Sequence, residues 1–136
     1  MMTHLLDTSA ILAHQLAEPG FDQVQALFDD EANILGICVL TLLELDCRLR
    51  DLGMNETARE AEVSKYKFLF DEIVPVTETI CAGAVRLKFA ATARLPSIDA
   101  LIAASAKQFG ATLVHRDPHF LRIPTVLLSQ ELIAQK

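Results

Sequence analysis

The chain has 136 residues, 51% of them hydrophobic and 22% charged, with five Gly and five Pro; this excludes a disordered or collagen-like polymer and suits one compact domain, residues 1–136. A net charge of −6 excludes the broad basic surface by which many proteins grip nucleic-acid phosphates. The longest uncharged stretch, Ala32 to Leu43, is shorter than the roughly 20 residues of a membrane span, and the opening residues lack the basic and apolar regions of an export signal, so the expected home is the cytoplasm, with no membrane contact.

In chain order, the apolar run Thr3–Leu6 reads as a first strand that stops at Asp7-Thr8-Ser9, and Ala10–Leu16 continues as a helix up to Glu18-Pro19-Gly20. Asp22–Asp30 carries Val24, Leu27 and Phe28 at helical spacing. Asn33–Cys38 is a second strand, leading into Thr41-x-x-Glu44, whose capping-box pattern puts Glu44 in the first turn of a helix. Glu56–Phe70 is helical, and its stripe of Val63, Tyr66, Leu69 and Phe70 suits either core or an interface. Glu72–Val76 follows as a third strand and Thr77–Ala93 as a long helix. Leu95-Pro96-Ser97 interrupts, Ile98–Phe109 is helical again, Gly110 stops it, Ala111–Val114 is a fourth strand ending near Asp117-Pro118, and Thr125–Leu128 is a fifth. Cys38, Cys47 and Cys81 are odd in number and have no CxxC spacing, as expected of reduced core thiols. The mean hydropathy of +0.31 leaves room for both a filled core and an apolar partner surface.

Short apolar strands alternating with helices imply an α/β fold, a three-layer α/β/α domain with a parallel sheet of four to five strands. All parallel strands end at one edge, so Asp7 after strand one, Glu44 after strand two and Asp117 after strand four should meet there. Asp99 opens the helix that must descend from that edge to feed strand four. The helix before it, Thr77–Ala93, would start from the same edge, and the Arg94–Ser97 link would have to carry the chain back. Singly, each acid suits a helix start: Asp7 and Asp117 as caps, Glu44 in its box, and Asp99 behind a Ser97 cap. Together they repel, by about 4 kcal/mol for two charges roughly 4 Å apart at an effective dielectric of about 20. A hard divalent cation, Mg²⁺ or Mn²⁺, offsets that repulsion and lets an acidic protein hold a phosphate. Arg48, Arg50, Arg86, Lys88, Arg94 and Arg116 could form a local basic rim, although solvated helix faces account for most of them.

The segments Leu5-Leu6-Asp7-Thr8-Ser9-Ala10, Thr41-x-x-Glu44-Leu45, Leu95-Pro96-Ser97-Ile98-Asp99-Ala100-Leu101-Ile102-Ala103-Ala104 and Leu113-Val114-x-x-Asp117-x-x-Phe120 resemble those of the PIN-domain nucleases, most closely the VapC-like toxins. The resemblance spans nearly the whole chain. It implies a Mg²⁺- or Mn²⁺-dependent ribonuclease, a homodimer, and neutralisation by a cognate antitoxin. By the same match Asp7, Glu44, Asp99 and Asp117 are the catalytic acids. Asp7, Asp99 and Asp117 would hold the metal, Glu44 would position or activate water, and Thr8 and Ser9 would support them.

The sequence departs from the family at His115, where Thr or Ser is common, and at His119, where a further acid is frequent. Both are expected at the surface, because Pro118 between them disfavours a helical zinc pair. Other phosphate chemistries fit less well. A receiver domain needs an acid pair after strand one and a Lys after strand five, and a DxDx phosphatase needs an acid where Ser9 stands. The alternative from another class is a non-catalytic RNA- or protein-binding domain that keeps the acids as helix caps.

Overall fold

The computed structural model describes Met1–Lys136 throughout. The elements are β1 (His4–Leu6), α1 (Thr8–Gln15), α2 (Phe21–Asp29), β2 (Leu35–Cys38), α3 (Val39–Asp51), α4 (Glu56–Leu69), β3 (Glu72–Val74), α5 (Glu78–Ala90), α6 (Ser97–Gln108), β4 (Thr112–His115), a 3-10 turn (Pro118–Arg122) and β5 (Gln130–Leu132). The five strands form one sheet in the order β3-β2-β1-β4-β5, and every pairing is parallel.

Strand alternation sends successive side chains to opposite faces, and each face is sealed by its own apolar cluster. Leu5, Cys38 and Leu113 pack with α5 and α6 through Ile80, Ala84, Leu87 and Ile102. Leu6, Ile37 and Val114 pack with α1–α4 through Ile11, Val24, Leu45 and Tyr66. The architecture is therefore the expected three-layer α/β/α sandwich. The stripe on α4 is mainly core, since Tyr66 and Phe70 are buried, while Leu69 is 37% exposed. No helix is long and apolar enough to cross a membrane.

Gly36, in β2, shows how tightly one layer closes. A Cβ there would stand 2.4 Å from Met2 Cε and 2.7 Å from Met2 Sδ, and Met2 is itself buried. Gly36→Ala is expected to cost about 1 kcal/mol or less, because the clash falls on the flexible end of Met2, which can swing aside, read as a small fall in the urea midpoint with an unchanged slope.

Several sequence expectations are corrected. The fifth strand is Gln130–Leu132, paired Leu113↔Gln130, and not Thr125–Leu128, which turns through a Leu127 N–H to Pro124 carbonyl bond of 2.9 Å. The capping box does not form: β2 runs straight into α3 with Cys38 as N-cap, so Glu44 lies in the second turn and Thr41 is buried inside the helix. Of the three thiols only Cys38 is buried, and Cys47 and Cys81 are exposed. Helix α5 also runs opposite to expectation. At its end Lys88 Nζ donates to the Leu95 carbonyl (2.8 Å) and Ser97 Oγ (3.1 Å), beside the start of α6, and Thr92 N–H donates to the Arg122 carbonyl (2.9 Å). The two helices are antiparallel neighbours, so a short link suffices to start α6 at the carboxyl edge.

Candidate active site

The sheet order reverses beside β1, with β2 and β3 on one side and β4 on the other. Ligands of open α/β sheets bind beyond the strand ends at such a reversal. Asp7 follows β1 and Asp117 follows β4, so these two acids flank it.

Asp7 is fixed from both sides. Its N–H donates to the Val114 carbonyl (2.9 Å), and its Oδ2 caps α1 by accepting the Ser9 N–H (3.0 Å) and the Ser9 hydroxyl (2.7 Å). Ser9 Oγ in turn accepts the Arg116 N–H at 3.0 Å, joining the ends of β1 and β4. The Thr8 hydroxyl donates to Glu44 Oε1 at 2.6 Å, which brings the second turn of α3 to the start of α1. Asp99 stands in the first turn of α6, where the N-cap is Pro96 and not the expected Ser97. Asp117 caps the 3-10 turn, its Oδ1 accepting the His119 N–H at 2.9 Å, with Pro118 in the first position of the turn.

The four acids influence one another. Burial pushes the Asp7 carboxyl up to about 7 against the pull of the two Ser9 bonds, and Glu44 and Asp99 push it further. Asp99 is raised to about 6, first by burial and then by Asp117, with Glu44 adding and His119 opposing. The structure thus gathers all four predicted acids, together with Thr8 and Ser9, at one edge.

Neither histidine is a plain surface residue. His115 is fully buried, a correction to the sequence reading: its ring packs on Phe120 with centroids 4.8 Å apart. Its Nδ1 accepts the Asp117 N–H (3.1 Å), so the proton sits on Nε2, which donates to Gln130 Oε1 (2.8 Å). Gln130 Nε2 donates to the Phe120 carbonyl at 3.0 Å. Burial holds the His115 imidazole below its usual range, in keeping with the neutral form this arrangement needs. The chain Gln130–His115–Asp117 therefore shapes the loop that carries the fourth acid. His119 lies between two acids, its Nδ1 3.1 Å from Asp99 Oδ2 and 3.2 Å from Asp117 Oδ1. Neither arrangement is legible in the sequence, because each is completed by a residue from another element, Gln130 of β5 for His115 and Asp99 of α6 for His119.

Two members of the expected basic rim are engaged internally. Arg116 holds Glu18 at 2.6 Å and the Pro19 carbonyl at 3.2 Å, and Lys88 is tied to the start of α6. A cavity between α5 and α6, lined by Ile80, Gly83, Leu87, Ala104 and Lys107 among others, contains none of the acids.

A family model for the PIN domain matches residues 4–126. The chain belongs to the PIN domain family. Solved structures repeat the fold of this PIN domain over nearly its full length. VapBC2 from Rickettsia felis, bound to a promoter DNA fragment, has a TM-score of 0.79 at 19% identity, covering 98% of this chain and 100% of that one. VapBC-1 from nontypeable Haemophilus influenzae has a TM-score of 0.75 at 19% identity, covering 96% and 98%. FitAcB from Neisseria gonorrhoeae has a TM-score of 0.73 at 23% identity, covering 94% and 96%. No curated protein sequence matches this PIN domain.

Proposed function

We propose that this PIN domain is a Mg²⁺- or Mn²⁺-dependent endoribonuclease and the toxin of a toxin–antitoxin pair. The observation that carries the reading is the gathering of Asp7, Glu44, Asp99 and Asp117 at the sheet reversal. Capping alone accounts for Asp7 and Asp117, each of which accepts a backbone N–H. Glu44 accepts only the Thr8 hydroxyl, and yet it and Asp99 lie close enough to raise the Asp7 carboxyl.

The donor set suits a hard cation: carboxylate oxygens dominate, and in its absence two of them are held partly protonated by burial and mutual repulsion. Asp7, Asp99 and Asp117 would hold it. When bound, a divalent ion supplies positive charge for the phosphate and acidifies nearby water. Glu44 takes the proton from the attacking water, and the Thr8 hydroxyl fixes one of its oxygens while the other is left without a hydrogen bond. Ser9 holds Asp7 in place, and the start of α1 adds positive potential toward the phosphate.

Purified protein given single-stranded or structured RNA is expected to cut it internally with Mn²⁺ or Mg²⁺ present. Excess chelator and Asp99→Asn should each abolish the cut, and full cleavage under either condition overturns the assignment. Thr8→Val, which keeps the shape but removes the donor to Glu44, should lower the cleavage rate about 10- to 100-fold with little change in melting temperature, as for other supports of a metal site.

An antitoxin partner and a second copy of the chain complete the reading. Similar solved structures include a toxin–antitoxin complex from Klebsiella pneumoniae and VapBC-5 from Mycobacterium tuberculosis, a member of the VapBC family of toxin–antitoxin systems, and Phe68 on α4 and Phe89 on α5, 88% and 86% exposed, leave apolar surface for partners to cover. Light scattering of the isolated chain and co-purification with the product of the adjoining reading frame test the two in turn.

A further inference from the structure

We propose that His119 is a nitrogen ligand of the ion held by Asp99 and Asp117, and that it tilts the site toward Mn²⁺ and Co²⁺ over Mg²⁺. The inference rests on the metal reading above and goes beyond it, since carboxylates alone give no such preference for nitrogen-binding ions.

Three donor atoms, one each from Asp99, Asp117 and His119, lie within 4.8 Å of one another. Within this group the His119 Nδ1 is 3.1 Å from one carboxylate oxygen and 3.2 Å from the other. Neighbouring ligands in an octahedron about 2.1 Å from its ion stand about 3 Å apart, so these spacings are those of ligands sharing a cation. The Nδ1 atom is also shielded from water and makes a directed hydrogen bond to neither carboxylate, although both are near. A nitrogen so placed either carries a proton between the two acids or shares a cation with them.

The backbone explains how the ring comes to be there. Asp117 accepts the His119 N–H, closing a tight turn after Pro118, and the ring is thereby turned back toward the start of α6. Imidazole is a softer ligand than carboxylate. It suits later first-row ions, whose affinities rise from Mn²⁺ through Co²⁺, whereas Mg²⁺ prefers oxygen and keeps much of its water.

The competing account makes His119 an imidazolium that neutralises Asp99 and Asp117 as a counter-charge. The two differ in sign. Removing a ligand weakens binding of nitrogen-preferring ions, whereas removing a counter-charge tightens binding of every cation.

The test is calorimetric titration of the full chain with Mg²⁺, Mn²⁺ and Co²⁺, for the wild type, His119→Ala and His119→Asp, with pulsed electron paramagnetic resonance of the Mn²⁺ complexes. The ring supports no backbone bond, so both variants should keep the wild-type circular dichroism. His119→Ala is expected to weaken Co²⁺ and Mn²⁺ at least about tenfold while changing Mg²⁺ far less, and to remove the nitrogen coupling of bound Mn²⁺. His119→Asp is expected to shift preference toward Mg²⁺. Tighter or unchanged binding of all three ions by His119→Ala overturns the proposal, as does a wild-type Mn²⁺ complex without nitrogen coupling. If the wild type binds none of these ions, the metal reading falls with it; if Asp99→Asn abolishes binding but no nitrogen is seen, only the role of His119 falls.

Discussion

Asp7→Asn is expected to lose at least about a thousandfold in RNA cleavage while making the ion-free protein more stable at pH 8. The loss follows from removing one of the carboxylates proposed to hold the ion, whose charge stabilisation is worth several kcal/mol, at about 1.4 kcal/mol per tenfold in rate. The gain follows from burial. The folded state keeps the Asp7 proton up to pH about 7, against an ordinary value of 3.8. A raised carboxyl value means that the folded state binds more protons than the unfolded one between these limits, so stability falls as pH rises through them. The penalty is absent below pH about 4, grows to pH about 7 and is complete above. At about 1.4 kcal/mol per pH unit it amounts to about 4 kcal/mol. Asparagine keeps an oxygen for the Ser9 donors and carries no charge. Allowing for its unpartnered amide, a net gain of about 1–3 kcal/mol at pH 8 is expected, seen as a higher melting temperature in chelator. Below pH 4 the variant should have no such advantage. If Asp7 were only a cap, Asp7→Asn would leave cleavage as it is and still show the gain in stability at pH 8, since that gain follows from burial alone.

Divalent-ion affinity is expected to climb steeply with pH for the same reason. An ion displaces the protons that burial and repulsion keep on Asp7 and Asp99. Between pH 6 and 7 one proton must leave, so affinity should change about tenfold per pH unit, and below pH 6 two must leave, giving about a hundredfold per unit. Thermal shift provides the readout: Mn²⁺ at a hundred times its dissociation constant should add about 2.7 kcal/mol of stability at pH 8, and the same concentration should add almost nothing at pH 5. An Mn²⁺ effect equal at both pH values would contradict the account.

How far the sequence reveals this molecule depends on whether a feature is local. β1, β2 and β4 are buried on both faces and declare themselves as short apolar runs, and from their parallel pairing the meeting of Asp7, Glu44, Asp99 and Asp117 follows by topology alone. β5 is an edge strand of Gln130, Glu131 and Leu132 with only partial burial, so it carries no apolar signal, and the apolar Thr125–Leu128 drew the expectation instead. Thr41-x-x-Glu44 matches a capping box in letters, but β2 enters α3 without a loop, and tertiary packing overrides the local pattern. The direction of α5 was hidden because amphipathic spacing says which face is apolar and nothing about which way the helix points. The histidines were the hardest to read. His115 meets Gln130 across 15 residues, and His119 meets Asp99 across 20, contacts that no spacing within the Asp117 loop encodes.

The central claim, that the four acids form one ion site, is tested most directly by the anomalous difference map of crystals soaked in Mn²⁺ at pH 8. The expected result is a strong peak among Asp7, Asp99 and Asp117 that disappears in Asp99→Asn crystals. An empty carboxyl edge in protein that still cleaves RNA would contradict it.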